Sequence, residues 1–202
     1  MIGPKVRLCI ALLLAAALLV LAAAAWAGEP THQLKSAVDK VLAVLRNPEL
    51  RKKENKEERR KKIREVVESE FDFAAMARSA LAAHWEKRSP AERKEFVQLF
   101  SILIERTYIG KIELYTDETV RYANERLENG FATVDTFIAT KKGQEILIRY
   151  SMLKSGNDWK VYDVTIEGNR LVKNYRDQFQ SIIRRSSYED LVKTLRAKRD
   201  EG

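Results

Sequence analysis

The chain has 202 residues, of which 45% are hydrophobic and 33% charged, with few Gly and Pro. This excludes collagen-like and low-complexity disordered chains and leaves room for one domain with a sizeable core behind a processed leader. The formal charge of +8 suits anionic partners of several kinds, nucleic acid and anionic membranes among them, and does not choose between them.

Lys5 and Arg7 precede an unbroken apolar run from Leu8 to Ala25, followed by Ala25-Trp26-Ala27. A charged n-region, an apolar h-region and a small-residue cleavage signal in that order predict a cleavable signal peptide over 1–27 and a mature domain over 28–202. The rival reading is an uncleaved anchor, because the run is near the lower length that spans a bilayer. Either way the bulk of the chain crosses a membrane, which disfavours nucleic acid and favours transient contact with membrane surfaces. Cys9, the only cysteine, sits at the start of the apolar run and fits neither a lipoprotein cleavage site nor a disulfide. The mature chain is then free of thiols, and its stability is a matter of packing.

From Thr31 to Arg46, the residues Leu34, Val38, Val41, Leu42 and Leu45 recur at intervals of three and four. They form the stripe of a packing helix that ends before Asn47-Pro48. The stretch from Arg51 to Lys62 is dense in Arg and Lys, with Glu57 to Lys61 and Glu58 to Lys62 at helical pair spacing. It reads as a solvated helix, with docking to an acidic partner or to lipid headgroups as its functional alternative. Asp72 caps a new helix running through Met76 and Leu81 to Trp85, with Phe71 and Met76 at staple positions. Ser89-Pro90-Ala91-Glu92 supplies an N-cap, a first-turn proline and a capping-box carboxylate for a helix reaching about Gly110, whose apolar arc demands burial on more than one side.

The period then changes from helical to alternating. Thr119 to Leu127, Phe131 to Thr140, Glu145 to Lys154 and Asp158 to Glu167 read as four strands, joined by turns at Glu128-Asn129-Gly130, Lys141-Lys142-Gly143-Gln144 and Ser155-Gly156-Asn157-Asp158. Glycines in each turn allow positive φ, so the strands form an antiparallel meander. Ile146, Ile148, Tyr150 and Met152 share one face, and Tyr162, Val164 and Ile166 alternate with Val161, Asp163 and Thr165. Beyond Gly168 the helical period returns in two segments, through Leu171, Val172, Tyr175 and Phe179 and then Tyr188, Leu191 and Leu195. The fold class is α+β, a four-stranded antiparallel meander packed against several helices.

Catalytic chemistry finds few candidates. The two histidines, His32 and His84, and the lack of a mature cysteine argue against a metal site. Ser79, Ser101 and Ser181 lie inside helices, and neither a Gly-x-Ser-x-Gly elbow nor a phosphate-cradling glycine loop is present. Asp135 and Asp163 stand in apolar strands, where a buried carboxylate can act as a general base in a small isomerase-type enzyme. The alternative is a solvated position or an ion pair with an arginine such as Arg149. Apolar residues on one sheet face and on the helices beside it serve equally a filled core or a hollow one.

The segment Trp159-Lys160-Val161-Tyr162-Asp163-Val164-Thr165-Ile166-Glu167-Gly168, continuing Leu171-Val172-Lys173-Asn174-Tyr175-Arg176-Asp177-Gln178-Phe179, closely resembles the signature of the MlaC family, the toluene-tolerance periplasmic lipid-binding proteins. Phe71-Asp72-Phe73, Met76-Ala77, Leu81, His84-Trp85, Glu95-Phe96, Leu99-Phe100 and Arg106-Thr107-Tyr108 match in the same order, and the similarity covers nearly all of residues 31–196. The resemblance implies a deep apolar cavity between sheet and helices and a carrier that shuttles phospholipid between outer and inner membranes without catalysis. It also implies an outer-membrane lipoprotein complex and an inner-membrane ABC transporter complex as partners, no cofactor, and phospholipid, or hopanoid in a related branch, as cargo. One departure is Asn169-Arg170, where the family more often has a small or apolar residue followed by Ser. Near the cavity mouth, Arg170 could meet a headgroup. The candidate lining is Trp85, Phe100, Leu103, Tyr108, Val134, Ile138, Ile148, Tyr150, Val164, Val172, Tyr175 and Phe179, each of which also suits an ordinary core. An exported enzyme using Asp135 or Asp163 and a basic interaction module without a ligand are the competing readings.

Overall fold

The computed structural model describes residues 28–115, 118–140 and 143–200. The leader, its cleavage motif and Cys9 lie outside the described residues, as do Lys141 and Lys142 of one turn. Among the described residues, seven helices precede and follow one sheet: α1 (Glu29–Arg46), α2 (Pro48–Arg51), α3 (Lys56–Glu70), α4 (Phe73–Leu81), α5 (Pro90–Ile112), then β1 (Thr119–Glu128), β2 (Phe131–Ala139), β3 (Glu145–Ser155), β4 (Asp158–Ile166), β5 (Asn169–Arg170), and finally α6 (Leu171–Arg185) and α7 (Tyr188–Asp200). The α+β meander holds, with β5 as a two-residue addition, and the antiparallel sheet runs in the order β1-β2-β3-β4-β5.

Local signals explain most boundaries. Asn47 accepts hydrogen bonds from the backbone N–H groups of Glu49 and Leu50, which stops α1 and starts α2. Asp72 accepts from Ala75 N at 2.8 Å. Ser89 and Glu92 form the reciprocal capping box at the head of α5. The basic run is broken: α2 ends at Arg51, a short 3-10 turn spans Lys53–Asn55, and α3 begins at Lys56. The helix through Met76 is also shorter than its periodicity suggests. It ends at Leu81, and Ala82 takes a positive φ of 49° at the start of a 3-10 turn to His84.

The strand register departs from simple alternation at two points: in β1, Ala123 is skipped between Tyr122, opposite Thr136, and Asn124, opposite Asp135, and a second departure lies between β3 and β4. Tyr150 pairs with Val164 and Ser151 with Asp163, but Met152 pairs with Val161. Tyr162 is therefore the extra residue of a β-bulge, which lets Val161, Val164 and Ile166 all face inward. Tyr162 instead packs on the outer face, edge-on to Phe131 at 6.0 Å.

Apolar packing falls into three groups. Helices α4 to α7 interlock around Met76, Phe96, Phe100, Phe179 and Leu191, with Trp85, Val172 and Tyr175 beside them. The inner sheet face gathers Ala132, Val134, Ile148, Met152, Trp159, Val161 and Val164 with Leu34 of α1. Leu45, Ile63 and Ile109 tie α1, α3 and α5 together.

Polar clasps fix α3 on α5. Glu113, just past the end of α5, receives Arg59 at 2.6 Å and Arg60 at 2.9 Å, and Arg64 grips Glu105 at 2.6 Å. Burial raises the Glu113 carboxyl pKa, but the bonds from Arg60 and Arg59 outweigh it, so the group sits below its usual range. A depressed folded-state pKa stabilises the protein above the unfolded value of about 4.3 and loses that contribution as pH falls through the folded value. Glu113→Gln is expected to lose about 2–3 kcal/mol in urea unfolding at pH 7. The gap to the native chain should close as the pH drops below about 4.

Candidate functional site

Between the inner sheet face and helices α1, α3 and α5 lies a cavity of about 790 Å³. That is within the range of about 300–1,000 Å³ typical of ligand sites. Helix α1 contributes Leu34, Val38, Val41, Leu42 and Leu45, the apolar stripe read from its sequence, together with Ala37. The sheet contributes Val120 of β1, Ile138 of β2, Ile146, Ile148, Tyr150 and Met152 of β3, and Val161 and Ile166 of β4. Val66, Val67 and Phe71 close one side, and Tyr108, Lys111, Ile112 and Tyr115 come from the end of α5 and just beyond it.

The two ends of the cavity differ. Met152 pairs with Val161, and Phe71 bridges to Val161, so this deep end is walled by apolar side chains and backbone. At the other end the start of β1, the end of β2, the start of β3 and the end of β4 come together, as an antiparallel meander requires. The polar lining gathers there in Lys111, Tyr115, Glu118, Gln144, Glu145 and Glu167. Several of these are already engaged: Glu167 accepts from Leu147 N at 2.7 Å, Arg121 pairs with Glu145 at 3.3 Å, and Lys111 lies over the Tyr108 ring at 5.1 Å. Arg46 reaches the Glu118 carbonyl at 3.3 Å and ties the end of α1 to this rim. Glu70 lies away from it, beside Phe71.

Tyr108, Tyr115 and Tyr150 bring phenols to the wall, and Tyr122 packs against the sheet-face cluster beside it. Burial pushes the Tyr150 hydroxyl up to about 12 and also raises Tyr108 and Tyr122. The Tyr122 hydroxyl is buried with no hydrogen-bond partner among the described residues, a state costing about 1–3 kcal/mol. Register places Tyr122 opposite Thr136 on the inner face, whose Oγ1 donates to the Ile148 carbonyl at 3.2 Å.

Of the lining expected from sequence, Tyr108, Ile138, Ile148 and Tyr150 reach the cavity wall. The other positions lie elsewhere in the packing. Trp85, Phe100, Val172, Tyr175 and Phe179 belong to the filled helical core, where Phe100 meets Tyr175 edge-on at 5.4 Å and Phe179 at 5.7 Å. Val134 and Val164 are buried within the sheet-face cluster and off the wall. Leu103 faces a smaller surface groove between α5 and α7, with Leu99, Arg106 and Leu195. The residues missed, chiefly on α1 and at Ile146, Met152 and Ile166, were legible as faces: the α1 stripe and the alternation of β3 and β4 pointed to them.

The two strand carboxylates do not converge on the cavity. Arg149 holds Asp135 at 2.6 Å and keeps its carboxyl below the usual range. Asp163 accepts from Val172 N at 3.1 Å, at the first turn of α6, and from Val164 N at 2.9 Å, while Arg170 donates to it at 2.9 Å. Arg170 is therefore bound to Asp163 and is not among the residues at the mouth. Asp163→Asn is expected to cost about 2–3 kcal/mol by weakening charge-assisted bonds to a helix start, lowering the thermal midpoint by about 5–10 °C. His84 pairs with Gln180 at 3.0 Å. No cluster of metal-ligating side chains occurs among the described residues, and no helix among them is long and apolar enough to cross a membrane.

A solved structure of the phospholipid-binding protein from Ralstonia solanacearum, in complex with a phospholipid, superimposes with a TM-score of 0.77 at 27% identity, covering 86% of this chain and 98% of that one. Among curated proteins, the intermembrane phospholipid transport system binding protein MlaC of Haemophilus influenzae is 20% identical over 168 residues, covering 81% of this chain and 78% of its own. The toluene tolerance protein ttg2D of Pseudomonas putida is 22% identical over 126 residues, 61% of this chain and 58% of its own. Residues 35–197 match the family model described as MlaC protein, and the chain belongs to the MlaC family.

Proposed function

We propose that this chain is a periplasmic carrier that encloses phospholipid acyl chains in the cavity and moves lipid between the outer and inner membranes without catalysis. It exchanges cargo with an outer-membrane lipoprotein complex and an inner-membrane ABC transporter complex. The leader over 1–27 is removed on export, leaving one mature domain. The observation that carries this reading is the apolar cavity of about 790 Å³ with its polar residues collected at one end. If each methylene takes about the 30 Å³ of a water molecule, it admits on the order of 25 such groups. Each buried methylene contributes about 0.8 kcal/mol, so ten already hold a lipid by about 8 kcal/mol and unaided release is slow. A partner that favours an open arrangement of α1 and α3 over the sheet accelerates release by binding that state better.

Incubating mature protein with vesicles that contain a fluorescent phospholipid, separating it, and adding acceptor vesicles tests the reading. Lipid should leave with the protein at up to one molecule per chain and pass to the acceptor. Protein that leaves the vesicles empty under all conditions contradicts it. Extraction of protein taken from its native compartment distinguishes a phospholipid from a hopanoid cargo.

A further inference from the structure

The basic run takes no part in the cavity wall, yet the fold brings it to the cavity mouth. Helix α3 runs antiparallel to α5, with Arg59 and Arg60 level with Glu113 and Arg64 level with Glu105. The first turn of α3, ahead of Arg59, therefore lies at and beyond the end of α5. Arg59 also donates to the Leu50 carbonyl at 2.7 Å, which fixes the segment from Arg51 onward at the same end. Arg51, Lys52, Lys53 and Lys56 are exposed there. Leu114, the residue after Glu113, is 76% exposed, more than any other large apolar side chain among the described residues. Glu113 is held by two arginines, Lys52 pairs with the exposed Glu49 at 2.6 Å, and Glu54, Glu57 and Glu58 are exposed on the same segment. The patch is therefore basic by the excess of eight Lys and Arg over three Glu between Arg51 and Lys62.

We infer that the mouth end is a docking surface for an anionic lipid bilayer, with Arg51, Lys52, Lys53 and Lys56 supplying the attraction and Leu114 entering the headgroup layer. The inference rests on the carrier reading for its purpose, but its evidence is separate. A basic patch alone suits an acidic protein equally well. An exposed leucine beside the opening of an apolar cavity favours a bilayer, because a side chain that enters the interface gains there what it loses in water. Each lysine near an anionic surface contributes about 1 kcal/mol, screened by salt. Docked in this way, the mouth faces the membrane that gives or takes the cargo.

Flotation of mature protein with vesicles of phosphatidylcholine alone, or containing 30% phosphatidylglycerol, tests the inference. The protein should float with the anionic vesicles only and detach as salt rises. The triple variant Lys52→Gln, Lys53→Gln, Lys56→Gln should partition about 100-fold more weakly, and Leu114→Ser should weaken it further, both with cargo content unchanged. Protein that carries lipid but floats with neither vesicle, or floats equally well as the triple variant, overturns the inference and leaves the carrier reading standing. Lipid-loaded protein that ignores vesicles but binds polyglutamate overturns it in favour of an acidic protein partner. Protein that docks through these lysines but never holds lipid supports the surface and removes the carrier reading.

Discussion

Mature protein with Ile138→Trp and Ile166→Trp is expected to fold normally and carry almost no lipid. Both residues are half-buried on the inner sheet face and line the cavity, Ile166 being paired with Ile148 and Ile138 with Ile146. Two indoles in that space displace about five methylene groups of cargo, which at about 0.8 kcal/mol each costs about 4 kcal/mol, close to a thousandfold in affinity. In a filled core the same substitutions cost about 1–3 kcal/mol each in strain. Here the added atoms enter empty space, and stability measured by urea unfolding should stay within about 1 kcal/mol or rise. Loss of folding with both substitutions would mean that the space is already occupied by protein.

Phe100→Ala is expected to do the reverse. Phe100 is fully buried, stacked on Phe96 at 6.0 Å and met edge-on by Tyr175 and Phe179. Its truncation leaves a void in a packed aromatic cluster and should cost about 3–5 kcal/mol. For a domain of this size that lowers the thermal midpoint by about 10 °C or more. Lipid bound per folded molecule should not change, because this cluster lies among α4 to α7 and off the cavity wall. A thermal melt paired with lipid quantification checks both halves.

The contrast between these substitutions shows where sequence reasoning stopped. Periodicity identifies which face of an element is apolar, and it did so for the α1 stripe, for β3 and for the caps at Asp72 and Ser89. It says nothing about whether that face meets another side chain or a space. The aromatic residues Phe100, Tyr175 and Phe179 looked like lining because they cluster at helical spacing. Rings of that size interlock edge to face and fill volume, whereas the cavity wall is mostly branched aliphatics with a few tyrosines. The bulge at Tyr162 was hidden for a related reason, since an extra residue in one strand changes facing without changing composition. The ambiguity at Asp135 and Asp163 resolved through partners distant in sequence: Arg149 lies across a hairpin, and the Val172 N–H belongs to the first turn of the next helix.

The account depends on the inner sheet face and helices α1, α3 and α5 enclosing volume that lipid occupies. Native mass spectrometry of mature protein recovered from its own compartment measures this directly. The predicted spectrum shows the polypeptide with one added mass of phospholipid or hopanoid size, absent from the Ile138→Trp, Ile166→Trp variant. A spectrum holding only the bare polypeptide, unchanged after incubation with lipid, would contradict the account.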